Sequence, residues 1–317
     1  MRRALVMAFC ATVLLGCSDE LDPTSLLNQP RVLGAFASVE GDEERTNPRP
    51  GETVVVDWLL AFPEARLPAT YALIACEPAD ISIGVDFCQS EELLTLAIQV
   101  DPTSDAPRIV VEVPEDYTND RILVQGAICM GGVVNQDVDF ETSTMLEICR
   151  DNVGEGQLVS LIQLVDQTGR FENRAPGIAE LRFGGEVWTA PVPDDVTAGC
   201  DGLDLPTVSV DGDDVPIVIR MEEGSRETFI DLEGDPLMEV DAIESLQNSI
   251  LITAGELERT FTFIEGDDVE TEVDYTPIQS DDEFDVPPGG RVVKFLVVMR
   301  DLRGGLDFEQ RALCVMP

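Results

Sequence analysis

The chain has 317 residues, with 62 acidic and 20 basic side chains, no histidine and a net charge of −42. This balance argues against nucleic-acid binding, which relies on Lys and Arg to neutralise phosphates, and the missing histidine excludes Ser-His-Asp triads, Cys-His pairs and His-based zinc sites. Because 44% of the residues are hydrophobic, the acidity indicates the charged surface of a folded protein and not a disordered chain.

The N-terminus has the layout of a secretory signal peptide. Arg2 and Arg3 precede a mostly apolar run, ALVMAFCATVLLG, and polar residues follow at once. The run is shorter than the roughly 20 apolar residues that a membrane-spanning helix needs. We therefore predict that residues 1–16 are cleaved from an exported protein.

The end of the apolar run, LLGC at residues 14–17, resembles the lipobox of bacterial lipoproteins. The resemblance implies that the Cys17 thiol receives a diacylglyceryl group and that residues 17–29 tether the body to a membrane. Two or three acyl chains anchor a protein stably, whereas one chain gives only marginal binding. In lipoproteins of this kind, an Asp directly after the lipidated cysteine would imply retention in the inner membrane. Because this position holds Ser18, the resemblance implies sorting to the outer membrane. An ordinary signal peptide cleaved nearby is the alternative.

The next part of the chain, residues 30–170, consists of short apolar and β-branched runs separated by Pro, Gly, Asn and Asp, a pattern that predicts strands. Seven strands with turn signals between them suit an immunoglobulin-like β-sandwich. The predicted strands are 31–39, 53–62, 70–76, 93–100, 108–113, 121–130 and 157–165.

Residues 171–317 repeat this pattern, so the fold class is predicted to be all-β, with two tandem immunoglobulin-like β-sandwich domains. A turn rich in Pro, Gly and Asn near 166–177 marks the boundary between them. The segment 235–250 is predicted to contain a helical turn or two. Strands are predicted within 177–190, on both sides of Gly184-Gly185, and at 207–210, 216–221, 226–232, 249–254, 258–264 and 269–275.

The chain ends in its clearest hairpin. An apolar strand over 292–299 and an alternating strand over 306–315 flank the turn RDLRGG. Gly304 and Gly305 are expected to supply positive φ values in this turn.

Six cysteines besides Cys17 lie in the predicted mature chain, and an even number in an exported protein indicates disulfides. Only two of them lie in the second half, which predicts a bond between Cys200 and Cys314. Closing a loop of that size stabilises a fold by roughly 4–5 kcal/mol in the chain-entropy estimate. For the first half, the favoured local pairing is Cys76–Cys88 with Cys129–Cys149, and its alternative is Cys76–Cys129 with Cys88–Cys149.

Several short motifs together resemble a group of lipoproteins from myxobacteria and related lineages. These motifs are RVLGAFASVEG, PRPGETVVVDWLLAF, NRAPGIAEL and VVMRDLRGGLDFEQRALCV, and they are scattered over most of the predicted mature chain. The resemblance implies β-sandwich modules and an envelope location, and it implies no activity.

Carboxylates are the only abundant reactive groups. A glycosidase needs two of them roughly 5–9 Å apart, but among 62 acids any spacing recurs by chance. No catalytic residue and no cofactor is therefore predicted. Trp58 and Trp188 lie inside strand patterns and are expected in the core rather than in a ligand-stacking platform.

Calcium is a weak candidate ligand. The acidic clusters DGDD (211–214), EGDD (265–268) and SDDEFD (280–285) lie in predicted turns, where Ca²⁺ finds oxygen ligands. None has the spacing of an EF-hand, and Asp and Gly are common turn formers without any metal. No metal-binding residue is therefore assigned.

These observations predict a non-enzymatic lipoprotein of the outer membrane, attached through Cys17, with a role in binding, adhesion or envelope assembly. The alternative is an accessory subunit of an exported enzyme or transport complex that adds a partner's strand to an exposed sheet edge. A carboxylate-dependent hydrolase is the third class considered. The expected partners are the membrane, through the lipid, and an envelope protein.

Overall fold

The structure is a computed structural model and describes residues 24–78, 88–135, 145–150, 156–169, 172–193, 195–233, 238–280 and 284–317. The described chain is all-β and contains one helical turn, α1 (Met145–Ile148). The strands of the first half are β1 (Arg31–Val39), β2 (Thr53–Ala61), β3 (Ala69–Pro78), β4 (Cys88–Thr103), β5 (Arg108–Glu112), β6 (Arg121–Met130), β7 (Val133–Val134), β8 (Cys149–Arg150) and β9 (Gly156–Leu164).

The second half contributes twelve further strands among its described residues. They are β10 (Ile178–Phe183), β11 (Glu186–Val187), β12 (Thr207–Ser209), β13 (Val215–Met221), β14 (Thr228–Glu233), β15 (Met238–Ile243), β16 (Leu246–Ile252), β17 (Glu256–Leu257), β18 (Phe261–Ile264), β19 (Glu270–Thr276), β20 (Arg291–Arg300) and β21 (Leu306–Met316).

Four larger sheets carry the fold, and they are named sheets I to IV here. Sheet I has the order β1-β2-β5 and sheet II the order β4-β3-β6-β9, while sheet III has the order β12-β21-β20-β16-β18 and sheet IV the order β11-β10-β13-β19-β17. Two small sheets, β7-β8 and β14-β15, complete the described topology. Every strand predicted from the sequence is present, with ends that shift by a few residues.

Sheets I and II pack face to face around a first apolar core. Val56 and Trp58 of β2 meet Leu73 of β3 and Ile122 and Ile128 of β6 in this core, and each is at most 3% exposed. The alternate residues of each strand supply this face because successive side chains of a strand point to opposite sides. The result is the sandwich-like packing that the strand pattern predicts.

Sheets III and IV enclose a second core that is centred on aromatic rings. The rings of Trp188 and Tyr275 lie 5.0 and 4.9 Å from the ring of Phe295, both in edge-on contacts. Such contacts stabilise by roughly 0.5–1.5 kcal/mol beyond the burial of their area. The Trp188 indole donates its N–H to the carbonyl of Ala312 (3.1 Å), so this core leaves that donor satisfied.

A third apolar cluster joins the two pairs of sheets, and it is called the interface cluster here. It consists of Leu27, Leu59, Ala61, Leu251, Leu296, Val298 and Leu306. Strand β20 is buried on both faces: Phe295 and Val297 face the second core, whereas Leu296 and Val298 face sheet I. Strands buried on both sides lose the apolar-polar alternation, which explains the continuous apolar run in this strand.

The segment before β1 is also part of the packed body. Ser25 and Leu27 are at most 3% exposed, and the Leu27 amide donates to the carbonyl of Ile252 in β16 (2.7 Å). The last part of the predicted tether therefore runs along sheet III, although β1, which follows it, belongs to sheet I.

The helix predicted within 235–250 is wrong for the residues that the structure describes. Residues 238–243 form β15 and residues 246–252 form β16. In β16, Leu246, Asn248, Ile250 and Ile252 are each at most 2% exposed, a period of two that belongs to a strand. Pairing with β18 and β20 on either side overrides the weak helical preference of this segment.

The three disulfides follow the favoured local pairing. Cys76 bonds to Cys88, Cys129 to Cys149 and Cys200 to Cys314. The last bond pins β21 to the loop that precedes β12, and the first two close short loops at the outer face of sheet II.

The interface cluster generates a stability prediction. Leu296→Ala should lower the free energy of unfolding by roughly 2–5 kcal/mol, because it opens a cavity between two packed sheets. Leu96→Ala is the matched control, since Leu96 lies on β4 and is 55% exposed. Urea unfolding followed by circular dichroism measures both, and equal losses for the two variants would contradict the two-sided burial of β20.

Candidate binding cleft

A buried polar cluster, called the polar junction here, connects the two halves beside the interface cluster. The side-chain amide of Asn173 donates to the hydroxyl of Thr46 and to the carboxylate of Asp301, both at 2.8 Å. The backbone amide of Asn173 donates to the side-chain oxygen of Asn47 (2.8 Å). Asn173 is 1% exposed, so the segment predicted to be a boundary turn is packed between the two pairs of sheets.

Asp301 organises the turn between β20 and β21. Its carboxylate accepts hydrogen bonds from the backbone amides of Arg303 (2.7 Å) and Gly305 (2.8 Å). A Cβ on Gly305 would lie 2.2 Å from this carboxylate, so glycine is required there for close approach. The prediction that Gly304 takes a positive φ is confirmed (113°), but the second such residue in the turn is Leu302 (64°) and not Gly305.

The charge of Arg303 is neutralised by acidic neighbours. Its guanidinium forms an ion pair with Glu244, lies 3.9 Å from the Glu227 carboxylate and sits 4.7 Å from the centre of the Phe229 ring. Burial raises the pKa of Glu244, and burial likewise raises the pKa of Asp301. The turn is therefore held by buried ionisable groups.

A half-open cleft of about 420 Å³ lies between this turn and the edge of the first sandwich, and it is called the interface cleft here. Strands β1, β2 and β9 form one side, and the β20–β21 turn forms the other. Its lining residues are Gly34, Ala35, Trp58, Ser160, Leu161, Ile162, Leu164, Arg300, Leu302, Arg303, Gly304, Gly305 and Leu306. This described lining contains two arginines and no acid.

Arg300 is the charged group of the interface cleft that has no acidic partner within the described chain. It donates to the Ser249 hydroxyl (3.1 Å) and to the Leu33 carbonyl (2.9 Å), which are both neutral acceptors. Burial lowers the pKa of Arg300, as expected for a cation that is partly removed from water. A guanidinium carries five N–H donors, so these two bonds leave donors for a further acceptor.

Apolar side chains surround this cation. Ile162 and Leu164 on β9 are 43% and 39% exposed, and Leu302 at the tip of the turn is 63% exposed. A bulky residue with positive φ is strained, so the turn holds the Leu302 side chain at the cleft at a cost in backbone energy. Trp58 is 3% exposed, and its indole N–H has no hydrogen-bond acceptor among the described residues.

The sequence did not single out the residues of this cleft. Trp58 and Trp188 are buried as predicted, but Trp58 also lines the cleft. Arg300 and Asp301 belong to the RDLRGG turn, which was interpreted only through its glycines. The available signal was the charged pair Arg300-Asp301, which directly follows the apolar run of the predicted strand 292–299.

The other predicted sites lie elsewhere. Cys17 lies outside the described residues, and the six cysteines predicted to be oxidised form the three disulfides given above. In the first acidic cluster, Asp211 accepts from the Ser280 amide and Asp214 from the Thr276 hydroxyl, both at 2.7 Å. Both bonds tie the 211–214 loop to the end of β19 and to the segment that follows it, so these two carboxylates make tertiary contacts.

Two negative findings concern only the described ranges. No group of three or more His, Cys, Asp or Glu side chains there could hold a metal ion. No helix in the same part of the chain is long and apolar enough to cross a membrane.

Comparison with known proteins identifies no family. No family model matches the chain, and no curated protein matches it. Among solved structures, the chain is similar to a Salmonella alpha-2-macroglobulin mutant at 12% identity and a TM-score of 0.23. The match covers 90% of this chain and 15% of that protein, so the chain spans only a small part of it, and no function is carried over.

The raised pKa of Asp301 predicts how stability depends on pH. The folded protein holds this proton more tightly than the unfolded chain does. The stabilisation is therefore full below the ordinary value of 3.8 and is lost as the pH rises through the raised pKa. Asp301→Asn removes this dependence, so the stability of the wild type relative to the variant should decrease from pH 4 towards pH 8.

Urea titrations at several pH values measure this difference. Glu186→Gln, at an exposed position in β11, is the control and should leave the pH dependence unchanged. A wild-type advantage that grows with pH would contradict the buried-carboxyl interpretation of the turn.

Proposed function

We propose that this chain is a lipid-anchored protein of the bacterial outer membrane, built as two tandem immunoglobulin-like β-sandwich domains, whose role is binding rather than catalysis. The proposed partition is a signal peptide (1–16), a lipidated Cys17 with its tether (17–29), and sandwiches over 30–170 and 171–317. The observation that carries the binding role is the interface cleft, which both halves build and in which Arg300 has no acidic partner.

The lining chemistry favours binding over hydrolysis. General acid-base catalysis needs a group whose pKa lies near the working pH, and the described lining of the cleft supplies no carboxylate and no cysteine. Arginine cannot be deprotonated in proteins under ordinary conditions. The cleft is therefore suited to holding an anion in place.

The proposed anchor would keep the body close to the membrane. Among the residues that the structure describes, Ser25 is the first that is buried against sheet III, and residues 18–24 would extend over at most about 25 Å. The anionic body is not expected to dock on anionic lipid, because Arg2 and Arg3 would leave with the signal peptide and 62 acids would then face 20 − 2 = 18 bases. Attachment would rest on the acyl chains of Cys17.

A second candidate function is an accessory subunit of an envelope complex. The outer face of sheet II exposes apolar side chains on its two edge strands, β4 and β9. Leu96, Ile98 and Val100 are 55%, 43% and 40% exposed, and Leu158 on β9 is 60% exposed. The three β4 residues occupy alternate positions of one edge strand, and exposed apolar patches are a common mark of protein interaction sites. These edges support the envelope protein partner predicted from the sequence.

The anchor is tested by replacing the lipidated residue. Cys17→Ser should abolish incorporation of labelled palmitate and should release the chain from the membrane fraction or leave it unprocessed. Cys10→Ser is the matched control, because this second cysteine lies inside the predicted signal peptide and should change neither result. Unchanged labelling and fractionation of Cys17→Ser would refute lipid attachment.

The two candidate functions differ in what the apolar face of sheet II does. For an accessory subunit, one stoichiometric partner should co-purify from solubilised envelope, and Leu158→Asp should abolish its recovery because a buried charge disfavours the contact. Glu186→Asp, at an exposed position on sheet IV, is the control. A partner that is retained equally by both variants would exclude the face of sheet II as its binding site.

A further inference from the structure

The structure points to the ligand class of the interface cleft, an inference that rests on the binding function proposed above. We propose that the cleft binds a small monocarboxylate with an apolar body. Its carboxylate would accept hydrogen bonds from Arg300, and its apolar body would lie among Leu164, Leu302 and Leu306.

The first argument is the charge of Arg300. Placing a guanidinium in a partly buried site without an opposite charge is costly, and an added anion offsets that cost. The two acceptors that it contacts, Ser249 and Leu33, are neutral. Arg303, the other arginine of the cleft, already has Glu244 as its counter-ion. The site therefore has room for one negative charge.

The second argument is the geometry of the donor. A guanidinium presents its N–H groups as a planar fork that matches the two oxygens of a carboxylate. Within the described ranges, the Arg300 Nε–H has no acceptor, and each Nη atom donates one bond. A carboxylate can use the remaining donors without displacing Ser249 or Leu33.

The third argument is the apolar lining. Ile162, Leu164 and Leu302 are exposed in the cleft, and burying their side chains against a ligand would be favourable by roughly 25 cal/mol per Å². The cleft volume of about 420 Å³ falls within the range of small-molecule sites. A simple inorganic anion would leave this apolar wall in contact with water.

The net charge of the protein favours a monoanion. The chain carries a net charge of −42, so each further negative charge on a ligand adds repulsion from the whole surface. A single guanidinium offsets one such charge. Phosphorylated ligands with two or more charges are therefore disfavoured relative to a carboxylate.

Trp58 supplies a further reason for a ligand with oxygen atoms. Trp58 lines the cleft, and its buried indole N–H has no acceptor among the described residues. Buried donors without acceptors are costly. A ligand oxygen, or a water held by the ligand, that reaches this N–H would satisfy it.

The proposal is tested with octanoate and octanamide, which share their chain length and differ in charge. Isothermal titration calorimetry on the full-length Cys17→Ser chain should show octanoate binding with one-to-one stoichiometry and octanamide binding more weakly. Arg300→Gln should weaken octanoate binding roughly 10- to 100-fold, the range for a lost hydrogen bond to a charged group. Intrinsic tryptophan fluorescence should change on addition of octanoate and should change less at the same concentration of octanamide.

Two variants separate a lost contact from lost structure. Arg300→Lys keeps the charge and should retain part of the affinity, and Arg291→Gln, at the other end of β20, should bind like the wild type. Thermal melting confirms that each variant is folded. Equal binding of both ligands, no binding of octanoate at millimolar concentration, or equal binding by Arg300→Gln would each overturn the proposal.

This experiment is independent of the anchor test. Lipid attachment is measured by palmitate labelling and fractionation of the chain with Cys17, whereas ligand binding is measured on a chain that lacks the acylated thiol. A chain that is lipidated and does not bind octanoate would retain the proposed location and lose the proposed ligand class.

Discussion

The two-sided burial of β20 is the constraint on which the arrangement of the two halves depends. One face of the strand completes the second core through Phe295 and Val297, and the other face meets sheet I through Leu296 and Val298. Apolar burial is the dominant favourable term in folding, so a strand that serves two cores couples them energetically. The two pairs of sheets cannot separate without exposing part of both cores, and this coupling restrains the relative position of the walls of the interface cleft.

The turn after β20 is held in place by both halves, and it carries the residues of the proposed binding site. Arg300 ends the strand and is held by the Leu33 carbonyl of the first half, while Asp301 receives the Asn173 amide from the connecting segment. Both halves thus restrain the same two residues. Groups that are fixed before a ligand arrives lose little conformational entropy on binding, which makes this turn better suited to recognition than an exposed loop would be.

Much of the fold can be predicted from the sequence, and there is a physical reason why the remaining features cannot. Strands such as β1 and β6 were predicted to the residue because turn formers bound them on both sides. The interface cluster was not predicted, because a continuous apolar run indicates burial without indicating which element covers each face. The cleft depends on Gly34, Trp58 and Arg300, which lie far apart in the chain, and no local pattern links them.

Some of the few basic residues of the chain lie at the interface between its two halves. In a chain with 62 acids and 20 bases, repulsion between the two acidic halves opposes their docking. Two bases lie beside the polar junction: Arg45 pairs with Glu52 of its own half, and Arg49 pairs with Asp166 of its own half and with Glu172 of the other. The one lysine of the chain, Lys294, donates to the Phe62 carbonyl across the interface (3.0 Å), although burial lowers its pKa. Arg300 crosses the same interface, and because it contacts only neutral acceptors, its charge remains available to a ligand.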